Sequence, residues 1–160
     1  MRISREQMFM DSAEVVAKRS ACLRNNVGAV IVNEENNIVA IGYNGPAAGV
    51  PQCTYENCHA GCDIAIHAED NAILRMPGEW GIKLLFDNEG VIHQHYMAYR
   101  LFCTVSPCKE CAKLIVNRKD INKVYFRYPY RDPSGIFYLL ANGIKVYQIL
   151  SGGIINEQTL

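Results

Sequence analysis

No excess of either charge marks this sequence: 16 Lys and Arg balance 16 Asp and Glu across 160 residues. A protein that coats DNA or RNA needs a basic surplus to displace counterions, so the balance argues against nucleic-acid binding and leaves room only for a local basic patch. Long apolar runs are missing too. Stretches such as residues 27–32 fall far short of the ~20 residues that cross a bilayer, and no membrane association is expected. The opening MRISREQMFMDSAEVV lacks the uninterrupted apolar stretch of a signal peptide. No internal repeat, low-complexity tract or charge block marks a linker, so 1–160 reads as a single domain. Disorder is excluded as well, because 49% of the residues are hydrophobic and only 20% are charged.

What the sequence does have in unusual number is cysteine, seven in all. An odd count suits a secreted disulfide scaffold poorly. The expected setting is a reducing cytoplasm, where closely spaced cysteines hold metal or do catalysis.

Residues 5–23 carry apolar side chains at a loosely helical period, with Ser4 as the N-cap. Runs at 27–32 and 38–41, split by Asn33-Glu-Glu-Asn36, predict a hairpin of buried strands. Residues 42–63 have the Gly, Pro, Asn and Cys content of a loop. A helix over 67–76 is stopped by Pro77-Gly78, and 84–86 with 91–92 form a smaller hairpin. Strands and helices then alternate: strand 100–105, helix 107–118, strand 123–128, helix 134–142 with Gly143 as its C′ residue, and strand 144–150. Strands joined through helices run parallel, whereas the first two can be antiparallel. The expected fold is α/β, a three-layer α/β/α sandwich around a mixed five-stranded sheet.

Two short motifs carry the chemistry. In Pro107-Cys-Lys-Glu-Cys111 the cysteines are three apart at a helix start, so both sulfurs share a face and the helix N-terminus favours their thiolate form. His67, opening another helix, supplies a third ligand. Three protein ligands leave a tetrahedral Zn²⁺ one open position, the catalytic arrangement rather than the structural one. Glu69, two residues beyond His67, does not share its face and is placed instead as general base toward water. A purely structural zinc would leave Glu69 without a role. His-x-Glu followed by Pro-Cys-x-x-Cys is the signature of the zinc nucleobase deaminases. In such a reaction Glu69 moves a proton from water to a ring nitrogen, the amino group leaves as ammonia, and a carbonyl remains.

The segment Val27-Gly-Ala-Val30, then Gly42-Tyr-Asn-Gly-Pro46 and Cys53, resembles the deoxycytidylate deaminases, and the resemblance runs from Cys22 to about Ile149. It is weakest over 77–99, where this sequence carries a longer insertion. The resemblance implies a cytidine deaminase-like fold and hydrolysis of dCMP to dUMP and ammonia, supplying thymidylate synthesis. It also implies a homo-oligomer, commonly a hexamer, with dCTP and dTTP as effectors together with Mg²⁺. It puts Asn44 and Tyr130 against the substrate; by residue chemistry alone Asn44-Gly45 reads first as a plain hairpin turn, and the alternative for Tyr130 is surface packing beside Pro129. Arg24, Lys109, Arg127 and Arg131 are candidates for a phosphate site. A tRNA adenosine deaminase shares both motifs but lacks the Gly-Tyr-Asn-Gly turn and should carry a basic surplus. A dCTP deaminase of the same fold and a non-catalytic zinc module are the remaining alternatives.

The other cysteines divide. Cys103, inside a strand, is expected to be a small buried hydrophobe. Cys53-x4-Cys58-His59-x2-Cys62 is dense enough for a structural zinc. The resemblance adds Cys22, giving Cys22, Cys53, Cys58 and Cys62 with His59 as the substitute, against the alternative of four unligated thiols. His93 and His95 share a face of the second hairpin and are read as exposed side chains.

Overall fold

The computed structural model describes residues 2–54, 64–76 and 82–160. Its first helix, α1 (Arg5–Ala17), starts as expected: the Ser4 hydroxyl accepts a hydrogen bond from the Gln7 backbone N–H at 3.1 Å. It ends six residues before the predicted 23, at Ala17. Just beyond, the Ser20 hydroxyl bonds to Asn44 and accepts from the Cys22 N–H, local partners that compete with helix continuation.

Strand β1 (Gly28–Val32) is buried along its whole length and pairs antiparallel with β2 (Ile38–Tyr43). Two short strands, β3 (Gly45–Pro46) and β4 (Ala65–Ile66), pair across the predicted loop. They lead into α2 (Ala68–Leu74). The small hairpin is longer than the sequence suggests, β5 (Ile82–Phe86) against β6 (Ile92–Tyr96), and its His93 and His95 are exposed. The alternating part follows as read: β7 (Tyr99–Val105), α3 (Lys109–Arg118), β8 (Ile121–Tyr128), α4 (Ser134–Ala141) and β9 (Lys145–Ile149). Gly143 follows α4 at φ 79°, the left-handed C′ conformation.

The main sheet has six strands, not five. β10 (Ile155–Glu157) adds antiparallel to β9, giving the order β10-β9-β8-β7-β1-β2. The two parallel pairs, β7 with β8 and β8 with β9, are those joined through helices. Alternation along each strand divides the core. Val30, Val32, Phe102 and Tyr125 face Phe9, Met10 and Ala13 of α1. Ala29, Ile31, Leu101, Val124 and Phe126 face Ala68, Ala72, Ala112, Ile115 and Leu139 of the other three helices. The three-layer α/β/α sandwich stands, with one strand more at its edge.

Two glycines on the second face set how closely the helices approach. A Cβ on Gly42 would lie 2.2 Å from the Ala68 carbonyl oxygen and 2.4 Å from the Ala72 nitrogen. A Cβ on Gly135 would lie 2.0 Å from the Pro107 carbonyl oxygen. Only a residue without a side chain permits this contact. Gly42 therefore seats the helix that follows His67, and Gly135 seats the turn that carries Cys108.

Candidate active site

His67 and Cys108 occupy the N-cap positions of α2 and α3, where Ser, Thr, Asp or Asn usually accepts a backbone hydrogen bond. Neither side chain caps its helix. Both turn instead toward Cys111, one turn into α3. His67 Nδ1 lies 3.1 Å from Cys111 Sγ and 3.5 Å from Cys108 Sγ, and the two sulfurs are 3.6 Å apart. A tetrahedral ion with Zn–N and Zn–S bonds of roughly 2.0 and 2.3 Å has edges of roughly 3.5–3.8 Å, so the triad is close to the size zinc requires. Its three donors are the single such grouping among the described residues.

Protonation within the triad points the same way. Cys108 is held down to about 3, first by its hydrogen bond with Cys111 and further by His67. Cys111, the donor to Cys108, is pushed far above the usual thiol range, and burial adds to the effect. His67 rises to about 9 because it bonds to Cys108, although burial opposes this. The lowered Cys108 thiol favours the thiolate form that binds metal. The N-terminus of α3 adds partial positive charge that favours thiolate.

Glu69 is 4% exposed, lies in the first turn of α2 two residues after His67, and lines the same cavity as His67 and Cys108. Burial pushes its carboxyl up to about 7, against the pull of a backbone hydrogen bond and of His67. A carboxyl that titrates near neutrality suits proton transfer in both directions.

Glu69, His67 and Cys108 open into a cavity of about 340 Å³, also lined by Cys22, Arg24, Asn25, Val27, Asn44, Ser106, Tyr130 and Arg131. Asn44 and Tyr130, separated in the chain by the six strands β3 to β8, thus line one cavity with His67 and Cys108. Asn44 is held by its own network: Oδ1 accepts from Val27 N at 2.8 Å and from Ser20 Oγ at 2.7 Å, while Nδ2 donates to the Asn25 carbonyl at 2.8 Å. One amide hydrogen remains for a ligand. Tyr130 is fixed through its backbone N–H, which donates to the buried Ser106 hydroxyl at 2.7 Å, and the Arg131 guanidinium lies 5.8 Å from its ring.

The four basic candidates separate here. Arg24 and Arg131 line the cavity. Arg127 is engaged by Asp11 at 3.3 Å and Glu14 at 3.4 Å on α1, and Lys109 is exposed outside the lining. Cys103 is fully buried and donates to the Tyr125 carbonyl at 3.4 Å, as expected for a core thiol. Cys22 lines the cavity, whereas Cys53 is buried and is not part of its lining. Cys58, His59 and Cys62 lie outside the described residues. Sequence reasoning missed Ser20, Asn25 and Ser106. Only Ser106, which directly precedes Pro107-Cys108, had a motif to draw attention to it.

A His-Cys-Cys triad at two helix starts, with a buried carboxyl lining the same cavity and an α/β/α sandwich carrying both, defines the class of zinc-dependent deaminases. The chain belongs to the cytidine and deoxycytidylate deaminase family, whose zinc-binding region matches residues 3–128. It is similar to the dCMP deaminase of cyanophage S-TIM5, solved in complex with dCMP and dUMP. That match has 32% identity and a TM-score of 0.73, and covers 92% of this chain and 98% of that one. ComE operon protein 2 of Bacillus subtilis is 36% identical over 133 residues, 81% of this chain and 62% of that protein. The deoxycytidylate deaminase of Saccharomyces cerevisiae is 34% identical over 160 residues, 92% of this chain and 46% of that protein. The chain thus spans less than two thirds of the length of these two curated relatives.

Proposed function

We propose that this chain hydrolyses dCMP to dUMP and ammonia, with His67, Cys108 and Cys111 as the zinc ligands and Glu69 as the catalytic acid and base. The observation that carries the reading is a single cavity that joins His67, Cys108 and Glu69 to Asn44, Tyr130, Arg24 and Arg131. Similarity to the phage dCMP deaminase over nearly its whole length supports the substrate.

Zinc held by the triad supplies Lewis acidity, which makes water a competent nucleophile near neutral pH. The chain's own residues do the rest. Glu69 takes a proton from the attacking water and delivers it to the ring nitrogen. It then carries the second proton to the departing amine, so water adds, ammonia leaves and the carbonyl of the product remains. Asn44 offers its remaining amide hydrogen to the sugar or base. Tyr130 covers the deoxynucleotide, and Arg24 and Arg131 meet the phosphate.

We extend the proposal to a single 1–160 deaminase domain in a cytoplasmic homo-oligomer, a hexamer, regulated by dCTP and dTTP with Mg²⁺. Among the described residues no helix is long and apolar enough to cross a membrane. A second, structural zinc on Cys22, Cys53, Cys58 and Cys62, with His59 as substitute, completes the reading. The test is ammonia release from cytidine, dCMP, dCTP, CMP and a tRNA stem-loop. Preference for dCMP supports the proposal, and release from the stem-loop alone overturns it.

A further inference from the structure

One hydroxyl outside the catalytic cavity holds together much of its wall. Ser20 does not line the cavity that contains Glu69; it borders a neighbouring one of about 600 Å³. Its Oγ lies 2.7 Å from Asn44 Oδ1 and 2.8 Å from the Asn44 carbonyl oxygen, so its single proton is directed at Asn44. The same oxygen accepts from the Cys22 N–H at 3.1 Å. Asn44 in turn takes the Val27 N–H at 2.8 Å and donates to the Asn25 carbonyl at 2.8 Å. Its backbone N–H closes the knot on the Val27 carbonyl at 3.2 Å.

This arrangement has two consequences. With two donors on Oδ1, the Asn44 amide has one orientation, so its remaining hydrogen points one way. The wall segment that carries Cys22, Arg24 and Asn25 has no helix or strand of its own and is pinned through these bonds to Asn44, the residue between β2 and β3. We propose that Ser20 is a positioning residue for substrate binding. It fixes the Asn44 amide and, through it, the wall that carries Arg24, without touching substrate itself. The inference rests on the dCMP reading for its substrate and on the hydrogen-bond knot for its mechanism.

The test compares Ser20→Ala, Ser20→Cys and Ser20→Thr in the zinc-loaded protein. Two readouts are taken: the kinetics of dCMP deamination and the hydrogen exchange of the Val27 amide. Ser20→Ala is expected to raise KM about tenfold with kcat within about twofold, as loss of one hydrogen bond to a buried amide implies. It should also speed Val27 exchange. Ser20→Thr, which keeps the hydroxyl, should restore both, with Ser20→Cys between them. Should Ser20→Ala fail to fold, the Cys and Thr pair decides by the same ordering. An unchanged KM without the hydroxyl, a fall in kcat alone, or no rescue by Thr overturns the proposal. If the parent enzyme is inactive on dCMP, the substrate reading fails, and Val27 exchange alone then decides on Ser20.

Discussion

In the proposed mechanism, Glu69 is the residue on which chemistry and stability pull in opposite directions. Its carboxyl titrates at about 7 in the folded chain against an ordinary 4.5 because burial disfavours the charged form. The folded state therefore holds this proton more tightly than the unfolded one. Below about pH 4.5 the group is neutral in both states and costs nothing. The penalty grows as pH rises between the two values and is complete above about 7. Glu69→Gln, neutral at every pH, should stabilise the zinc-free protein by up to about 3 kcal/mol at pH 8 and by little at pH 4, read by chemical denaturation. The same change should lower ammonia release by a factor on the order of 10²–10⁴ while zinc content stays near that of the parent. Loss of zinc instead would make Glu69 a ligand. Arg24→Ala and Arg131→Ala should each raise KM for dCMP about tenfold and leave turnover of deoxycytidine, which has no phosphate, nearly unchanged. Equal effects on both substrates would remove these arginines from the phosphate site.

At the scale of elements, the site depends on how two helix starts are pressed against the sheet. Gly42 under α2 and Gly135 against the Cys108 turn leave no room for a methyl group. Gly42→Ala and Gly135→Ala should therefore destabilise the fold by about 1–3 kcal/mol and lower zinc retention, because displacement of either start separates His67 from the cysteines. Metal analysis after gel filtration reads this directly, and full zinc retention in both variants would contradict it. The helix starts were legible in the sequence because ligand chemistry demands particular residues at particular spacings, and His67-x-Glu69 and Cys108-x-x-Cys111 are local. The Ser20–Asn44 knot was not, since its partners are 24 residues apart and neither residue type is unusual in a loop. Arg127 and Arg131 look alike in sequence, and only the packing of α1 commits Arg127 to Asp11 and Glu14. β10 was missed for a similar reason. Three residues after Gly152-Gly153 carry too little pattern to announce a strand, and pairing with the exposed edge of β9 is what makes them one.

For the whole molecule, the balanced charge takes on a specific meaning. A nucleotide monophosphate needs a few local cations rather than a basic face, and the proposed phosphate site draws them from Arg24 and Arg131, which line one cavity. Among the described residues the cysteines include the triad pair Cys108 and Cys111 and the core thiol Cys103, and Cys22 and Cys53 belong to the set proposed to hold a second zinc. Metal analysis near two zincs per chain is expected, and a ratio of one would remove the second site. The central claim is that this cavity deaminates dCMP, and the most direct measurement follows conversion of dCMP to dUMP by the zinc-loaded protein, the chelated protein and Glu69→Ala. Conversion by the loaded parent, lost on chelation, regained with zinc and absent in Glu69→Ala, is the predicted result. No dUMP from the zinc-loaded parent, or undiminished conversion by Glu69→Ala, would contradict it.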